Sequence, residues 1–137
     1  PLFREGYEVV IASRDPKDAV GASRDIKEPW YREVLGTMGN LVIQFFGIWG
    51  IWDTQNGFKA LTAKSAHDIF SRTRMSGFSF DIEVLALARF LGYRIGIIPI
   101  HWRFEADSKV TLSAYIRVFI DVFKIRWNFL TGAYKKK

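Results

Sequence analysis

The run YEVVIA at residues 7–12 is the feature that most constrains the fold. It is short, apolar and rich in β-branched residues, which predicts a core strand. Further strands are expected only at residues 60–61 and 93–102, and Pro99 in the second predicts an edge position or a bulge. Two or three strands make a poor sheet by themselves. We therefore predict an α/β fold with a small sheet, and we suspect further sequence before Pro1.

The remaining segments divide into loops and helices. Residues 13–30 are polar and contain two prolines, which predicts a mobile loop. Residues 31–52 are largely apolar but carry four glycines and charges at one end. Because a bilayer span needs about 20 apolar residues, we expect a helix in protein or at a membrane interface. Further helices are predicted at three places: residues 62–70 with Thr62 as cap, 79–91 ended by Gly92, and 112–130.

Charge and composition limit the partners. A net charge of +6 favours phosphates, an acidic membrane surface or nucleic acid. The absence of cysteine excludes disulfides and thiolate metal sites, and two histidines give little basis for a histidine-rich site. The aromatic residues lie in apolar runs and do not alternate with basic residues. This pattern argues against single-strand binding, so no nucleic acid partner is predicted.

The loop at residues 53–59, DTQNGFK, is the first candidate for chemistry. Asp53 could face a metal or a hydroxyl group, and Gln55 could bond a sugar or a phosphate. Gly57 permits a positive φ or a close approach to a ligand. From composition alone, an ordinary Asx-type turn with a solvated Lys59 is the more frequent explanation.

The second candidate is FDIE at residues 80–83, at the start of a predicted helix. Acidic residues in a first helical turn are favoured by the helix dipole, by about 0.3–1 kcal/mol each. That effect alone accounts for Asp81 and Glu83. The functional alternative is that one carboxylate faces a cleft beside Asp53 and binds a substrate hydroxyl, a metal or a loop cation.

These two motifs together carry a family resemblance. DTQNGFKAL at residues 53–61, followed by GFSFDIEVLALARFLGYRIGIIPIHW at 77–102, resembles the dolichyl-phosphate β-glucosyltransferases. These are family 2 glycosyltransferases, related to the dolichyl-phosphate mannose synthases. VVIASR at 9–14 and WYREVL at 30–35 extend the resemblance, and LTGAY at 130–134 points to the glucosyl branch.

The resemblance implies a fold and a domain. Residues 1–137 would form the acceptor-side half of one GT-A-type glycosyltransferase domain, with a few strands, flanking helices and a C-terminal amphipathic helix. The nucleotide-binding half would precede it. That half carries the family's Asp-x-Asp motif, which does not occur here, so no metal site is predicted in this chain. Magnesium or manganese is expected in the complete enzyme, and this chain alone is expected to be inactive.

The resemblance also implies residue roles. The catalytic, sugar-side positions would be Asp53, Gln55, Asp81 and Glu83. The lipid-phosphate positions would be Arg14, Arg32, Arg103, Ser108 and Lys109. Arginine suits phosphate because its planar fork can hold two oxygens; solvated loop arginines are the alternative for Arg14 and Arg32. Gly36 replaces a family serine, so that phosphate contact is not carried over.

The implied reaction is inverting transfer of glucose from UDP-glucose to a polyprenyl phosphate, which gives a β-linked product. A polyprenyl phosphate is already anionic because its second pKa is about 6, so no strong base is needed. Mannosyl or other hexosyl transfer is one alternative. A non-catalytic basic module that binds membranes is another.

Residues 112–130 predict a membrane contact. Arg117, Asp121 and Lys124 fall on one narrow helical face, and the broad apolar arc includes Phe119, Phe123 and Trp127. A broad apolar arc beside a basic tail is typical of an interfacial helix. A core-packed helix with one wet face fits nearly as well. The expected location is the cytoplasmic face of the endoplasmic reticulum membrane, or of the plasma membrane in a prokaryote.

Overall fold

The computed structural model describes residues 1–25, 30–103 and 112–135. Strands and helices are interspersed along these parts of the chain. In chain order they are β1 (Val9–Ser13), β2 (Ser23–Asp25), α1 (Trp30–Val42), β3 (Lys59–Leu61), α2 (Ala63–Phe70), α3 (Phe80–Phe90), β4 (Ile95–Pro99), β5 (His101–Arg103) and α4 (Leu112–Leu130). The α/β class predicted from the sequence is confirmed.

A three-stranded sheet in the order β3-β1-β4 lies at the centre. β1 pairs antiparallel with β3, where Val9 faces Leu61, and parallel with β4, where Val9 faces Ile95. All five residues of β1 are buried, which suits the apolar, β-branched side chains of Val9, Val10 and Ile11. β4 lies at the edge of this sheet, as predicted from Pro99. Proline has no backbone N–H to donate, and an edge strand tolerates that because one of its sides has no partner strand.

The predicted strand at 93–102 is divided in two. β4 ends at Pro99, and β5 pairs with β2 in a separate parallel ribbon. Ile100 links the two sheets, since its N–H donates to the Ser13 carbonyl at 2.9 Å and its carbonyl accepts from the Ser23 N–H at 3.3 Å. Residues 13–30 were predicted to form one loop, and this was wrong at Ser23–Asp25, which form β2.

α1 begins as predicted but does not continue to residue 52. It ends at Val42 and passes into one π-helical turn, Ile43–Gly47, closed by a hydrogen bond from the Ile48 N–H to the Ile43 carbonyl at 2.8 Å. A Cβ on Gly47 would lie 3.2 Å from the Ile82 side chain. Gly47 therefore lets this turn approach α3 closely.

α3 is the central helix. Every residue from Ile82 to Ala88 is buried, whereas Phe90 near the end of the helix is half exposed. The helix stops at Gly92, where φ is +79°. α2 is capped by Thr62, whose hydroxyl accepts the Ser65 N–H at 3.3 Å, as predicted.

α4 has the predicted bounds and packs Val122 and Ile125 into the core. After it, a turn carries Tyr134 back into the same core, where its ring contacts Phe129 at 4.6 Å between centroids. Among the helices described, none is long and apolar enough to cross a bilayer.

Candidate functional site

Arg14 and Asp53 form the centre of the candidate site. Arg14 lies directly after β1 and donates three hydrogen bonds to the Asp53 carboxylate: from its backbone N–H at 2.8 Å, from Nε at 2.8 Å and from Nη2 at 2.7 Å. The Asp53 side chain is 3% exposed and that of Arg14 is 24% exposed. The hydrogen bond to Asp53 raises the pKa of Arg14, against the opposing effect of burial. A buried bidentate pair of this kind fixes the direction of both side chains.

Asp18 holds the same loop from the other side. Its Oδ1 accepts the Trp52 N–H at 2.7 Å, and its Oδ2 accepts the Asp53 N–H at 2.8 Å and the Ser13 hydroxyl at 2.7 Å. The Lys17 Nζ lies 3.9 Å from the centre of the Trp52 ring. The loop after β1 is thus fastened to the loop at residues 52–59.

Sequence reasoning missed Asp18. Its neighbourhood reads as a turn, and the Asp15 carboxylate does accept the Lys17 N–H at 3.0 Å, as an Asx-type turn predicts. The contacts by which Asp18 holds the second loop are to residues 34 and 35 positions away. No local pattern carries that information.

Lys59 joins the two sequence motifs. Its Nζ donates to Asp81 Oδ1 at 2.8 Å and also to the Asn56 carbonyl, and its side chain is 8% exposed. The expectation of a solvated Lys59 was wrong. Three possibilities were considered for the acidic residues of FDIE: binding a substrate hydroxyl, a metal or a loop cation. Asp81 binds a loop cation, which is Lys59.

Asn56 is a second residue that sequence reasoning missed. Its Oδ1 accepts the Phe58 N–H at 3.0 Å, which closes the turn. Its Nδ2 is buried and finds no acceptor among the described residues. Buried donors are normally paired. The loop therefore offers a donor that suits an oxygen of a bound molecule.

Gln55 lies on the exposed side of this loop. Its Nε2 donates to the Phe78 carbonyl at 3.3 Å, in the turn before α3. This contact places Gln55 near the start of α3, the helix whose first turn contains Asp81. Its predicted role with a sugar or phosphate stays a prediction.

Glu83 is placed elsewhere. It is fully buried and accepts the N–H groups of Arg74 and Met75 at 2.9–3.0 Å and the Tyr134 hydroxyl at 2.5 Å. Residues two apart on a helix do not face each other, so Asp81 and Glu83 point in different directions. The structure brings Asp81, and not Glu83, to the loop of Asp53. The observed contacts of Glu83 hold the loop before α3 and the C-terminal turn together.

The proposed phosphate residues are only partly described. Arg14 is placed as above. Arg32 lies in the first turn of α1 and Arg103 ends β5, but their side chains are outside the described part of the structure. Ser108 and Lys109 also lie outside the described residues. Their roles stay predictions.

Within residues 1–25, 30–103 and 112–135, no group of three or more His, Asp or Glu side chains is placed to hold a metal ion. Asp53, the carboxylate first considered for a metal, is bonded to Arg14. The described residues therefore do not fit a metal centre.

α4 exposes its apolar face. Asp121, which we placed on the wet face, is 8% exposed and accepts the Ser79 hydroxyl at 2.7 Å. The prediction of one charged wet face was therefore wrong at Asp121. At about 100° per residue, the exposed large apolar side chains fall within an arc of about 80°. They are Leu112, Ile116, Ile120, Phe123, Trp127 and Leu130.

α1 has a matching exposed stripe, again at intervals of three and four residues. It consists of Trp30, Val34, Met38, Leu41 and, in the π-helical turn, Phe45. α1 packs beside α4, and Phe46 of the same turn contacts Phe123 at 4.6 Å between ring centroids. Of the predicted membrane residues, Phe123 and Trp127 are exposed, whereas Phe119 is half-buried.

Comparison with known proteins agrees with the predicted family resemblance. The chain is 31% identical over 129 residues to a dolichyl-phosphate beta-glucosyltransferase of Trichomonas vaginalis, a match that covers 94% of this chain and 37% of that protein. It is 34% identical over 128 residues to the enzyme of that name from Saccharomyces cerevisiae, covering 93% of this chain and 38% of the relative. The human protein of the same name is 31% identical over 107 residues, which is 77% of this chain and 33% of the relative.

The chain thus spans a little over a third of the length of the curated relatives that it matches. No protein-family model and no solved structure matches it. The resemblance predicted from the paired motifs is confirmed by relatives from several organisms. Over nearly its whole length the chain is similar to one portion of the dolichyl-phosphate β-glucosyltransferases, the family that the paired motifs predicted.

Proposed function

We propose that this chain is the acceptor-side part of a glycosyltransferase that transfers glucose from UDP-glucose to dolichyl phosphate, with inversion at the anomeric carbon. The observation that carries the proposal is the similarity, over 93–94% of the chain, to proteins named dolichyl-phosphate beta-glucosyltransferases. The domain would be of the GT-A type. Its nucleotide-binding part would lie in sequence that precedes residue 1.

The site chemistry supports an anionic acceptor. A phosphate monoester is ionised at neutral pH, because its second pKa is about 6. Catalysis then requires orientation and relief of charge repulsion more than a strong base. Arg14 would orient the phosphate, because Asp53 holds its guanidinium in a fixed direction at two points while balancing its charge. Arg32, Arg103, Ser108 and Lys109 would complete the phosphate site.

The loop of Asp53 would face the sugar. Asn56 offers a buried donor without an acceptor among the described residues, and Gln55 is exposed beside it. Lys59 and Asp81 hold the loop against the start of α3. In this arrangement Asp53 and Asp81 position neighbouring groups, and the polar atoms of Gln55 and Asn56 would contact the sugar or its phosphate.

A membrane surface would lie along α1 and α4. Their exposed stripes are bordered on α4 by Arg117 and Lys124 on one side and Arg126 on the other, all exposed. An apolar face flanked by basic residues is typical of a helix in the plane of an anionic membrane. Dolichyl phosphate resides in such a membrane, so a membrane-binding surface would bring the site to its acceptor. Location at the cytoplasmic face stays a prediction.

The test is product formation by the full product of the gene that encodes this chain. With dolichyl phosphate as acceptor, UDP-glucose should yield an acid-labile glucolipid, and GDP-mannose should yield none. Chelation should abolish the reaction, and magnesium or manganese should restore it, because the complete enzyme is proposed to use a divalent metal. A product from GDP-mannose alone would overturn the assignment of glucose.

A further inference from the structure

An apolar pocket lies where α1 passes into the π-helical turn. It has a volume of about 420 Å³, within the ~300–1,000 Å³ of ordinary ligand pockets. Its wall includes Leu41, Phe45, Phe46, Trp49 and Trp52. π-helical turns within helices occur frequently at functional sites, so the position is notable as well as the size.

Gln44 also lines this pocket, but its polar atoms are occupied. Its Oε1 accepts the Gly50 N–H at 2.7 Å, and its Nε2 donates to the Ile51 carbonyl. The Arg89 guanidinium donates to the Trp49 carbonyl and steadies the same turn. The pocket therefore presents apolar surface, and a polar ligand would gain little inside it.

One edge of the pocket is basic. Trp52 lines the pocket, and the Lys17 ammonium lies 3.9 Å from the centre of its ring. The residue after Trp52 is Asp53, which binds Arg14. A pocket with apolar walls and a cation at one edge is complementary to an amphiphile with an anionic head.

The other edge meets the exposed stripe of α1. Leu41 and Phe45 line the pocket and also belong to that stripe, with exposed fractions of 54% and 77%. A chain that lies among membrane lipids could therefore enter from the stripe without crossing water. Free metabolites with an anionic head and no tail would not fill such a space.

From these observations we propose that this pocket binds the isoprenoid units next to the phosphate of a polyprenyl phosphate, with Lys17 beside the phosphate. This inference rests on the proposed function and deepens it, because it assigns a tail-binding subsite. It predicts that affinity depends on both the apolar chain and the charge. Each contribution has its own residue, Phe45 for the chain and Lys17 for the charge.

The test is binding of farnesyl phosphate to the 137-residue chain by calorimetry, below the concentration at which the ligand forms micelles. Phe45→Ser should weaken binding about tenfold or more, since it removes a large apolar wall. Leu41→Ser should weaken it in the same direction. Phe3→Ser, which removes an exposed ring outside the pocket, should change it less than about twofold.

The charge is tested with farnesol and with inorganic phosphate as probes. The chain should bind farnesyl phosphate more tightly than either, and Lys17→Gln should reduce its preference over farnesol. Lys64→Gln, an exposed lysine on α2, is the control. Circular dichroism of each variant establishes that it is folded.

Equal losses for Phe45→Ser and Phe3→Ser would overturn the proposal, as would equal affinity for farnesyl phosphate and inorganic phosphate. Failure here is distinct from failure of the proposed function. If the full gene product still glucosylates dolichyl phosphate while Phe45→Ser binds farnesyl phosphate normally, only the pocket is wrong. If binding depends on Phe45 but no glucolipid forms, only the reaction is wrong.

Discussion

Buried and half-buried carboxylates in this chain accept hydrogen bonds that hold loops in place. Asp18 and Asp53 join the loop after β1 to the loop after α1, and Glu83 joins the loop before α3 to Tyr134. The sequence predicted that Asp53, Asp81 and Glu83 carry function from their motifs. It could not predict their partners, because each partner lies 8 to 51 residues away. The pairing follows from the sheet and from the packing of α3.

Asp18 offers the clearest test of this fastening. In Asp18→Asn one oxygen is replaced by a donor that faces backbone N–H groups, so at least one hydrogen bond to a charged acceptor is lost. We expect the free energy of unfolding to fall by about 1–3 kcal/mol in urea titrations. Glu5→Gln, an exposed carboxylate near the N-terminus, should change it by less than about 0.5 kcal/mol. Similar values for both variants would contradict a structural role for Asp18.

Tyr134 predicts a dependence on alkaline pH. Burial and the hydrogen bond to Glu83 raise the pKa of Tyr134 above the ~10 of an unfolded chain. A raised pKa means that the folded state retains the proton more strongly, so its contribution to stability is complete below about pH 10. That contribution is lost as the pH rises through the folded-state pKa.

Tyr134→Phe should therefore lose about 1–3 kcal/mol at pH 7 and show a smaller further loss above pH 10 than the unsubstituted chain. Unfolding at a series of pH values measures both effects. Tyr93→Phe is the comparison, because the hydrogen bond to Asp68 raises the pKa of Tyr93 at a less buried position. If only Tyr93→Phe altered the alkaline slope, the account of Tyr134 would be wrong.

At the level of elements, helix bounds were easier to predict than helix faces. Residues 112–130 have a helical period of apolar and charged residues, and α4 has those bounds. The charged face of this helix was predicted to face solvent. Asp121 instead points inward and accepts the Ser79 hydroxyl, and an apolar stripe of the helix is exposed. Periodicity identifies two faces, but only the rest of the fold decides which one is covered. The end of α1 at Val42 was missed for a similar reason, since Gly47 meets α3 there.

The exposed stripes predict membrane binding. The chain should sediment with vesicles that contain anionic lipid more than with neutral vesicles, and less at high salt, because basic residues flank the stripe. The double variant Ile120→Ser with Trp127→Ser should reduce partitioning about tenfold or more, since both side chains are half exposed or more.

The matched control for this experiment is Phe3→Ser with Phe78→Ser, two exposed rings outside α1 and α4. It should leave vesicle binding nearly unchanged. If the control pair lost as much binding as the α4 pair, the contact would be a nonspecific effect of hydrophobicity. The membrane surface proposed for α1 and α4 would then be abandoned.

At the scale of the whole molecule, the family was predictable and the site was only partly so. The paired motifs at residues 53–61 and 77–102 were specific enough to identify the family, which relatives from several organisms confirm. The small sheet of β3, β1 and β4 also followed from the strand patterns. The fastening by Asp18, the buried donor of Asn56 and the apolar pocket did not, because each is assembled from distant segments.

The central claim is that this chain handles the acceptor, and separate Michaelis constants for the two substrates test it most directly. In the full gene product, Arg32→Ala should raise the KM for dolichyl phosphate about tenfold, and leave the KM for UDP-glucose within about twofold. Arg4→Ala, an exposed arginine near the N-terminus, should change neither constant. An Arg32→Ala enzyme with a raised KM for UDP-glucose and an unchanged KM for dolichyl phosphate would contradict the account.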